Sequence, residues 1–373
     1  MDVLVVAAEH SGDEHAARMV RGLLGKRPEL KVAALGGPRL AAAGAQLLRD
    51  LTASSAIGPG EVLRKLSFFR ALIAEIVRWI GEHRPRAVCF VDSSALNLRI
   101  ARQLHARGIS AKAGGTTRTL YYVSPQIWAS RAGRRFEMAK HLDGLAAIFP
   151  FEPAVYADTR LPVEFVGHPF VAPDYEPPVR YDPAGPVLLL PGSRKAAVAR
   201  IFPVLLAAYR EWGAERPAVV LHPGGEVRAV LEAERPPAGV ELRPLAESRA
   251  PVGAAAVLTT SGTMSMHCAL AGIPGAVTYR ADPLFYFLGR LLVRVKFIGI
   301  ANLLLGEPMY PEYIQGAARP AALAAELEAA VSDPRRREKT AAQAARLRAL
   351  LAVPASGTAV DWLERQLAQG SPS

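Results

Sequence analysis

The sequence predicts an α/β protein of two doubly wound, parallel-sheet (Rossmann-like) domains, and three observations carry that reading. With 373 residues the chain exceeds the usual size of one domain, so two domains of about 150–200 residues are expected. Short apolar runs alternate with stretches of helical period in both halves, the order of elements that builds parallel sheets. Several of these runs end in a small, polar, glycine-containing turn that opens a helix: Glu9-His10-Ser11-Gly12-Asp13 early in the chain, Pro191-Gly192-Ser193-Arg194 later.

In chain order, residues 2–8 form a buried-strand run, followed by the Glu9–Asp13 turn and a helix to Leu24. Residues 31–35 are a second strand, stopped by Gly36-Gly37-Pro38. Residues 62–81 read as a helix with more apolar residues than one buried stripe needs. Arg64, Lys65, Arg70 and Arg78 beside them suggest a membrane-surface element, against the alternative of a helix buried between layers. Residues 87–91 are a strand running into Asp92, with a helix from Asn97 to Gly108. A strand at 120–123 leads into Ser124-Pro125-Gln126-Ile127-Trp128, then come a basic helix at 131–141 and a strand at 145–149. Pro150-Phe151-Glu152 opens another helix, and Phe165-Val166-Gly167-His168-Pro169 closes the first half.

Five prolines within residues 173–186 mark a linker, so the expected division is 1–172, linker 173–186, 187–353, and a C-terminal helix in 354–373. The second half begins with a strand at 187–190 and a helix to about Trp212. Strands are expected at 218–222, 240–242, 254–259 and 275–279, with helices at 227–234 and 264–271. Alanine-rich helices fill 323–351, and a last helix at 358–367 carries Val360, Trp362, Leu363 and Leu367, which need a surface to cover.

Composition narrows the function classes. Half the residues are hydrophobic and 7% aromatic, the balance of a globular α/β enzyme rather than a disordered chain. The formal net charge of +11 attracts anions in general, among them acidic headgroups and nucleotide phosphates, without choosing between them. Cys89 and Cys268 sit in apolar segments with neither disulfide nor metal spacing. The apolar N-terminal run lacks a basic leader and is read as a mature cytoplasmic start. Residues 283–306 come nearest to a membrane span, but Arg290, Arg294 and Lys296 interrupt them.

Two turns carry the candidate chemistry. After the strand at 187–190, Gly192 lets a ligand approach the backbone, Ser193 offers a hydroxyl or a cap, and the helix start offers unpaired N–H groups. Arg194 adds a fork of donors matched to phosphate oxygens, although an ordinary turn with a solvated arginine reads the same way. Thr260-Ser261-Gly262-Thr263 repeats the device in the same half, and two such turns suit a diphosphate. In a nucleotide-sugar site they would meet the charge developing on the departing nucleoside diphosphate. Asp92, at the end of a strand, would then be the base that deprotonates an attacking hydroxyl in a cleft between the domains, or else a plain helix cap.

With these turns in place, the chain resembles the lipid-A-disaccharide synthase family over nearly its whole length. The matching residues are Glu9-His10-Ser11-Gly12-Asp13, Gly37-Pro38-Arg39, Glu61-Val62-Leu63, Asp92 with Asn97, Tyr122–Ala129, Pro150-Phe151-Glu152, Gly167-His168-Pro169, Leu190–Arg194, Ser261-Gly262-Thr263, and Asn302-Leu303-Leu304 with Pro311-Glu312 and Gln315. The resemblance implies a GT-B fold and an inverting glycosyltransferase that works without a metal or cofactor. It implies a UDP-2,3-diacylglucosamine donor and an acylated glucosamine phosphate acceptor (lipid X), joined by a β-1,6 linkage. It also implies a cytoplasmic enzyme, peripheral on the inner face of the membrane through anionic lipid, with a C-terminal helix that packs back on the first domain. No nucleic-acid partner is expected, and a homodimer is left open.

Carried over by position, Asp92 resembles the base. Gly192, Ser193, Arg194, Ser261, Gly262, Thr263, His267, Asn302, Glu312 and Gln315 resemble the donor site, and Glu9, Ser11, Gly12, Asp13, Glu61, Ser124 and Gln126 the acceptor side. The chain departs from the family at His267, where a glutamate usually takes the ribose hydroxyls, and at Ala8, Ala95 and Ser130. A UDP-sugar transferase with another acceptor, a sugar-nucleotide 2-epimerase and a non-catalytic nucleotide binder stay open beside the main reading.

Overall fold

The computed structural model describes residues 1–52, 62–129, 131–248, 250–282, 286 and 296–369, with the side chains of 62–66 left aside. The chain divides into two compact units: Met1–Pro169 together with the segment from Val353, and Phe170–Ala352.

The first unit is one parallel sheet with helices. Its strands are β1 (Val3–Val6), β2 (Val32–Gly36), β3 (Gln46–Asp50), β4 (Ala87–Val91), β5 (Arg118–Tyr122), β6 (Gly144–Ala147) and β7 (Val163–Phe165). Its helices in this stretch are α1 (His10–Lys26), α2 (Pro38–Ala42), α3 (Val62–His83), α4 (Ser94–Ala106), α5 (Arg134–His141) and α6 (Glu152–Val155). The strand order is β3-β2-β1-β4-β5-β6-β7. β1 and β4 are buried along their whole length, which is why both read as unbroken apolar runs. The chain winds outward from β1 through β2 to β3, then returns to the other side of β1 with β4, so the order reverses between β1 and β4. In open α/β sheets the crevice beyond the strand ends at such a reversal is where ligands bind.

β3 has no counterpart in the sequence expectation, because Gln46–Asp50 is a half-exposed edge strand with polar residues and a register shift against β2. On α3, Leu72, Ile73, Ile76, Val77 and Ile80 are buried in the core, whereas Phe68 and Phe69 are 45% and 38% exposed. The later turns of this helix therefore present a packing stripe, and Phe68 and Phe69 stand outside it. The glycine-rich motif at the start of α1 has a steric reason: a Cβ on Gly12 would lie 3.3 Å from the Val91 carbonyl oxygen. Without one, α1 starts close against the end of β4.

The second unit repeats the design. Its main strands are β9 (Val187–Leu190), β10 (Ala218–His222), β11 (Val240–Pro244), β13 (Ala256–Thr259), β14 (Gly275–Tyr279) and β15 (Glu312–Ile314), ordered β11-β10-β9-β13-β14-β15 and parallel; β8 (Val179–Tyr181) and β12 (Val252–Ala254) form a separate parallel pair. Helices α7 (Lys195–Glu211), α8 (Gly225–Ala233), α9 (Thr263–Ala271), α10 (Ile300–Leu305), α11 (Pro320–Ser332) and α12 (Pro334–Leu351) complete it. The reversal of order here falls between β9 and β13. The stretch 173–186, expected as a linker, instead contains β8, whose pairing with β12 ties it into this unit. Proline density marked a break in periodicity, and a three-residue strand fits between prolines that lie outside the pair.

The last helix, α13 (Ala359–Ala368), belongs with the first unit. It starts with a capping box in which Thr358 and Asp361 satisfy each other's backbone N–H groups. Trp362, Leu363 and Leu367 are buried, and Gly22 of α1 leaves room for Val360, whose Cγ2 a Cβ there would approach to 2.7 Å. The helix C-terminus is held by arginines: Arg86 donates to the Leu367 carbonyl (2.8 Å) and Arg118 to that of Gln366 (3.1 Å).

Candidate functional site

The end of β4 in the first unit brings Asp92 and Ser11 together. Ser11 Oγ donates to Asp92 Oδ2 at 3.0 Å. Asp92 (φ 52) and Ser93 (φ 40) both adopt the left-handed conformation, which costs non-glycine residues about 1–2 kcal/mol each. Their geometry is held by two donors to the Asp92 carbonyl oxygen, Asn97 Nδ2 at 2.9 Å and the Tyr121 hydroxyl. The backbone is thereby fixed from behind while the carboxylate stays partly exposed at the reversal of strand order. Strain that the surroundings must support is a recurring mark of working sites.

The other residues expected on the acceptor side separate into two groups. Gly12 provides close approach, and Glu9 and Gln126 lie partly or fully at the surface. Asp13 has a different role, because its buried carboxylate accepts from the backbone N–H groups of Gly37 (2.8 Å), Arg39 (3.0 Å) and Leu40 (3.2 Å). It ties the turn after β2 to α1, and its burial turns it away from an acceptor. Ser124 is also turned inward, its hydroxyl 2.7 Å from that of Tyr156. Beside it, Glu152 is fully buried and accepts from the N–H groups of Ile148 (3.2 Å) and Phe149 (3.1 Å). Burial pushes its carboxyl up to about 7, which the two N–H groups only partly oppose. Glu61 lies outside the described residues.

In the second unit the two expected turns come out side by side at the reversal between β9 and β13. Gly192 has φ 107, and a Cβ there would meet Thr260 Oγ1 at 3.6 Å. Arg194 is the N-cap of α7 and Gly262 the N-cap of α9, and neither helix start receives a side-chain cap. Two helix N-termini with exposed Ser193, Arg194, Gly262 and Thr263, and half-exposed Ser261, make a cradle suited to an anion with two charged centres.

Four residues expected at the donor are placed elsewhere or used differently. His267 is 3% exposed, its ring 4.0 Å from that of Phe170 and stacked at 5.7 Å on Tyr175. An imidazole buried in a cluster with two aromatic rings belongs to the packed face of α9 and does not present itself to ribose hydroxyls. Asn302 and Glu312 are joined at 2.8 Å and spent on backbone. Asn302 Oδ1 accepts from Met309 and Tyr310 N–H, and Glu312 accepts from Ile298 and Gly299 N–H, all at 2.9–3.0 Å. Gln315 grips Ala281 with both ends of its amide, accepting at 2.8 Å and donating at 3.1 Å. These three residues are spent on hydrogen bonds within the fold. Gln315 in turn lines a cavity of about 390 Å³ with Arg200, Arg280, Ala281, Asp282 and Gly316. Sequence reasoning passed over Arg280, since a lone arginine after a strand gives no pattern, and passed over Phe170 and Tyr175, which lie in the proline-rich stretch. Among the described residues no cluster of His, Cys, Asp or Glu is arranged to hold a metal ion.

Comparison with known proteins adds three findings. The family described as Lipid-A-disaccharide synthetase matches residues 3–356. The Lipid-A-disaccharide synthase of Geobacter metallireducens is 33% identical over 368 residues, covering 93% of this chain and 92% of that one. Among solved structures, the UDP-GlcNAc 2-epimerase from Neisseria meningitidis bound to UDP-GlcNAc aligns with a TM-score of 0.62 at 12% identity, covering 99% of this chain and 100% of that one. The calicheamicin glycosyltransferase CalG4 aligns at 0.57 and 16%, covering both chains fully. At such identities the last two speak for the fold alone.

Proposed function

Because the chain belongs to the lipid-A-disaccharide synthase family, whose members are GT-B glycosyltransferases of lipid A biosynthesis, we propose that it joins two acylated glucosamines. The donor is UDP-2,3-diacylglucosamine, the acceptor is 2,3-diacylglucosamine 1-phosphate (lipid X), and the products are a β-1,6-linked disaccharide and UDP. The observation that carries the reading within the molecule is the Asp92 carboxylate, held at 3.0 Å by Ser11 at the end of β4.

In this reaction Asp92 takes the proton from the acceptor 6-hydroxyl as its oxygen attacks the anomeric carbon. The bond from that carbon to the β-phosphate oxygen breaks, configuration inverts, and the electron pair leaves on UDP. The diphosphate rests on the turns after β9 and β13, where Arg194 and the starts of α7 and α9 stabilise the negative charge that grows as the bond breaks. On this reading the enzyme works on lipids that sit in a membrane and associates with its surface; among the described residues no helix is long and apolar enough to cross one.

The test is to incubate purified protein with a panel of UDP-sugars, with and without lipid X, and measure UDP release. Release that needs both the diacylated donor and lipid X is the expected result. Release without any acceptor would instead favour a hydrolysing 2-epimerase, and none with any donor a nucleotide-binding role.

A further inference from the structure

Near Asp92, at the first turn of α4, lies Arg134, which with Arg131 the reaction as described does not use. Arg131 (φ 58) closes a turn in which the Arg134 N–H donates to the Arg131 carbonyl at 2.9 Å, and α5 begins at Arg134. Arg134 Nη1 reaches to 3.5 Å from Ser94 Oγ in the first turn of α4, two residues beyond Asp92. Their neighbour Arg135 is neutralised by a two-pronged contact to Asp158, at 2.7 and 2.6 Å. Among the described residues no carboxylate is within ion-pair distance of Arg131 or Arg134.

Arg131 and Arg134 flank one turn without an ion-pair partner, and burial of Arg134, with the charge of Arg131 added, lowers its hold on the proton. A fold keeps such a pair when something brings the missing negative charge. The start of α4 points to the same ligand class. This 13-residue helix has no side-chain cap, and the hydroxyl of its N-cap, Ser93, is 8% exposed as a residue and has no hydrogen-bond partner. Arg134 and Asp92 both act electrostatically on the buried Tyr121 hydroxyl, which itself donates to the Asp92 carbonyl.

We propose that Arg131 and Arg134, with the start of α4, form a subsite for the phosphate monoester of the acceptor sugar. The inference rests on the reading of the acceptor as a sugar phosphate. Arginine forks match the oxygens of a dianionic phosphate, and an uncapped helix start adds N–H donors to it. Bound there, the phosphate fixes which end of the acceptor turns away from Asp92, so that the 6-hydroxyl and not another presents its proton.

The experiment measures binding of lipid X and of the same diacylglucosamine lacking the 1-phosphate, by calorimetry, without donor, in neutral detergent micelles. The parent should prefer the phosphorylated compound by about tenfold or more, as charge-assisted contacts would give. Arg131→Gln and Arg134→Gln combined should bring the ratio near one, and Arg131→Gln alone, a change at an exposed position, should already reduce it. Equal binding of the two compounds by the parent, or a preference untouched in the double variant with its circular dichroism intact, overturns the subsite. Repeating the comparison in micelles doped with phosphatidylglycerol separates headgroup from substrate: if the variants differ from the parent only there, the arginines serve the lipid surface and the proposal fails. Because binding is read without turnover, failure of UDP release in the parent counts against the transferase reading and leaves this result standing on its own.

Discussion

Asp92 occupies a left-handed backbone position because β4 must end and α4 begin within two residues, and the carbonyl it displaces is caught by Asn97 and Tyr121. The strand end was legible from Ala87–Val91 running into an aspartate. The pairing with Ser11, 81 residues away, was not, since it depends on the order of β1 and β4 in the sheet. Asp92→Asn keeps the shape and removes the base, so turnover should fall by about 10²–10⁴ with UDP affinity kept. A rate within a few fold of the parent would make Asp92 structural. Ser11→Ala removes one hydrogen bond to a charged group, for which about 1.5–3 kcal/mol is typical. It should lower kcat by about 10–100-fold without weakening UDP, and Ser11→Thr should restore part of it. Arg194→Ala should weaken UDP itself by a similar energy, about 1.5–3 kcal/mol, measured by calorimetry.

At the scale of elements, the parallel strands that are buried on both faces were readable as apolar runs, and the helices between them followed from period and glycine turns. β3, β8 and β15 were not. β3 carries polar residues on exposed positions, β15 is three half-buried residues, and β8 lies among prolines, so none offers a continuous apolar signal. The motif residues were found as a set, but their division into ligand and support depends on partners far along the chain. Asp13 binds the turn after β2, Glu312 the backbone of residues 298 and 299, and His267 packs under Phe170 and Tyr175. α6 offers a test of support by burial. Glu152 in its first turn is raised from its ordinary 4.5 to about 7, so the folded state holds an extra proton between those values. The stability this contributes is fully present below about pH 4.5 and is lost as pH rises through about 7. His15, lowered to about 4 by burial, acts in the opposite direction: its contribution is present above its ordinary 6.5 and is lost as pH falls through about 4. The difference between parent and Glu152→Gln isolates the first effect. Melting temperatures of the parent should decline relative to the variant between about pH 5 and 7.5, and parallel curves would remove the raised carboxyl from the account.

For the molecule as a whole, charge and exposed apolar groups together set where it works. The net charge of +11 draws the protein toward anionic surfaces over a distance that salt shortens to about 10 Å at 0.1 M. Charge alone holds weakly, and a stable peripheral site also needs apolar side chains that enter the lipid. The side chains we propose for that role are on α3: Phe68 and Phe69 are exposed in its early turns next to exposed Arg70, while its later turns are committed to the core through Ile76, Val77 and Ile80. Of the apolar stretch at 283–306, most of the first part lies outside the described residues. Vesicles rich in phosphatidylglycerol should therefore co-sediment the protein at low salt and release it as salt rises. Phe68→Ser with Phe69→Ser should weaken that binding by about tenfold or more, because each phenyl group buried is worth about 1.5–3 kcal/mol, and leave the salt response in place. Absence of co-sedimentation at low salt would mean that the two rings serve some other contact and that lipid substrates are met without a stable membrane-bound state.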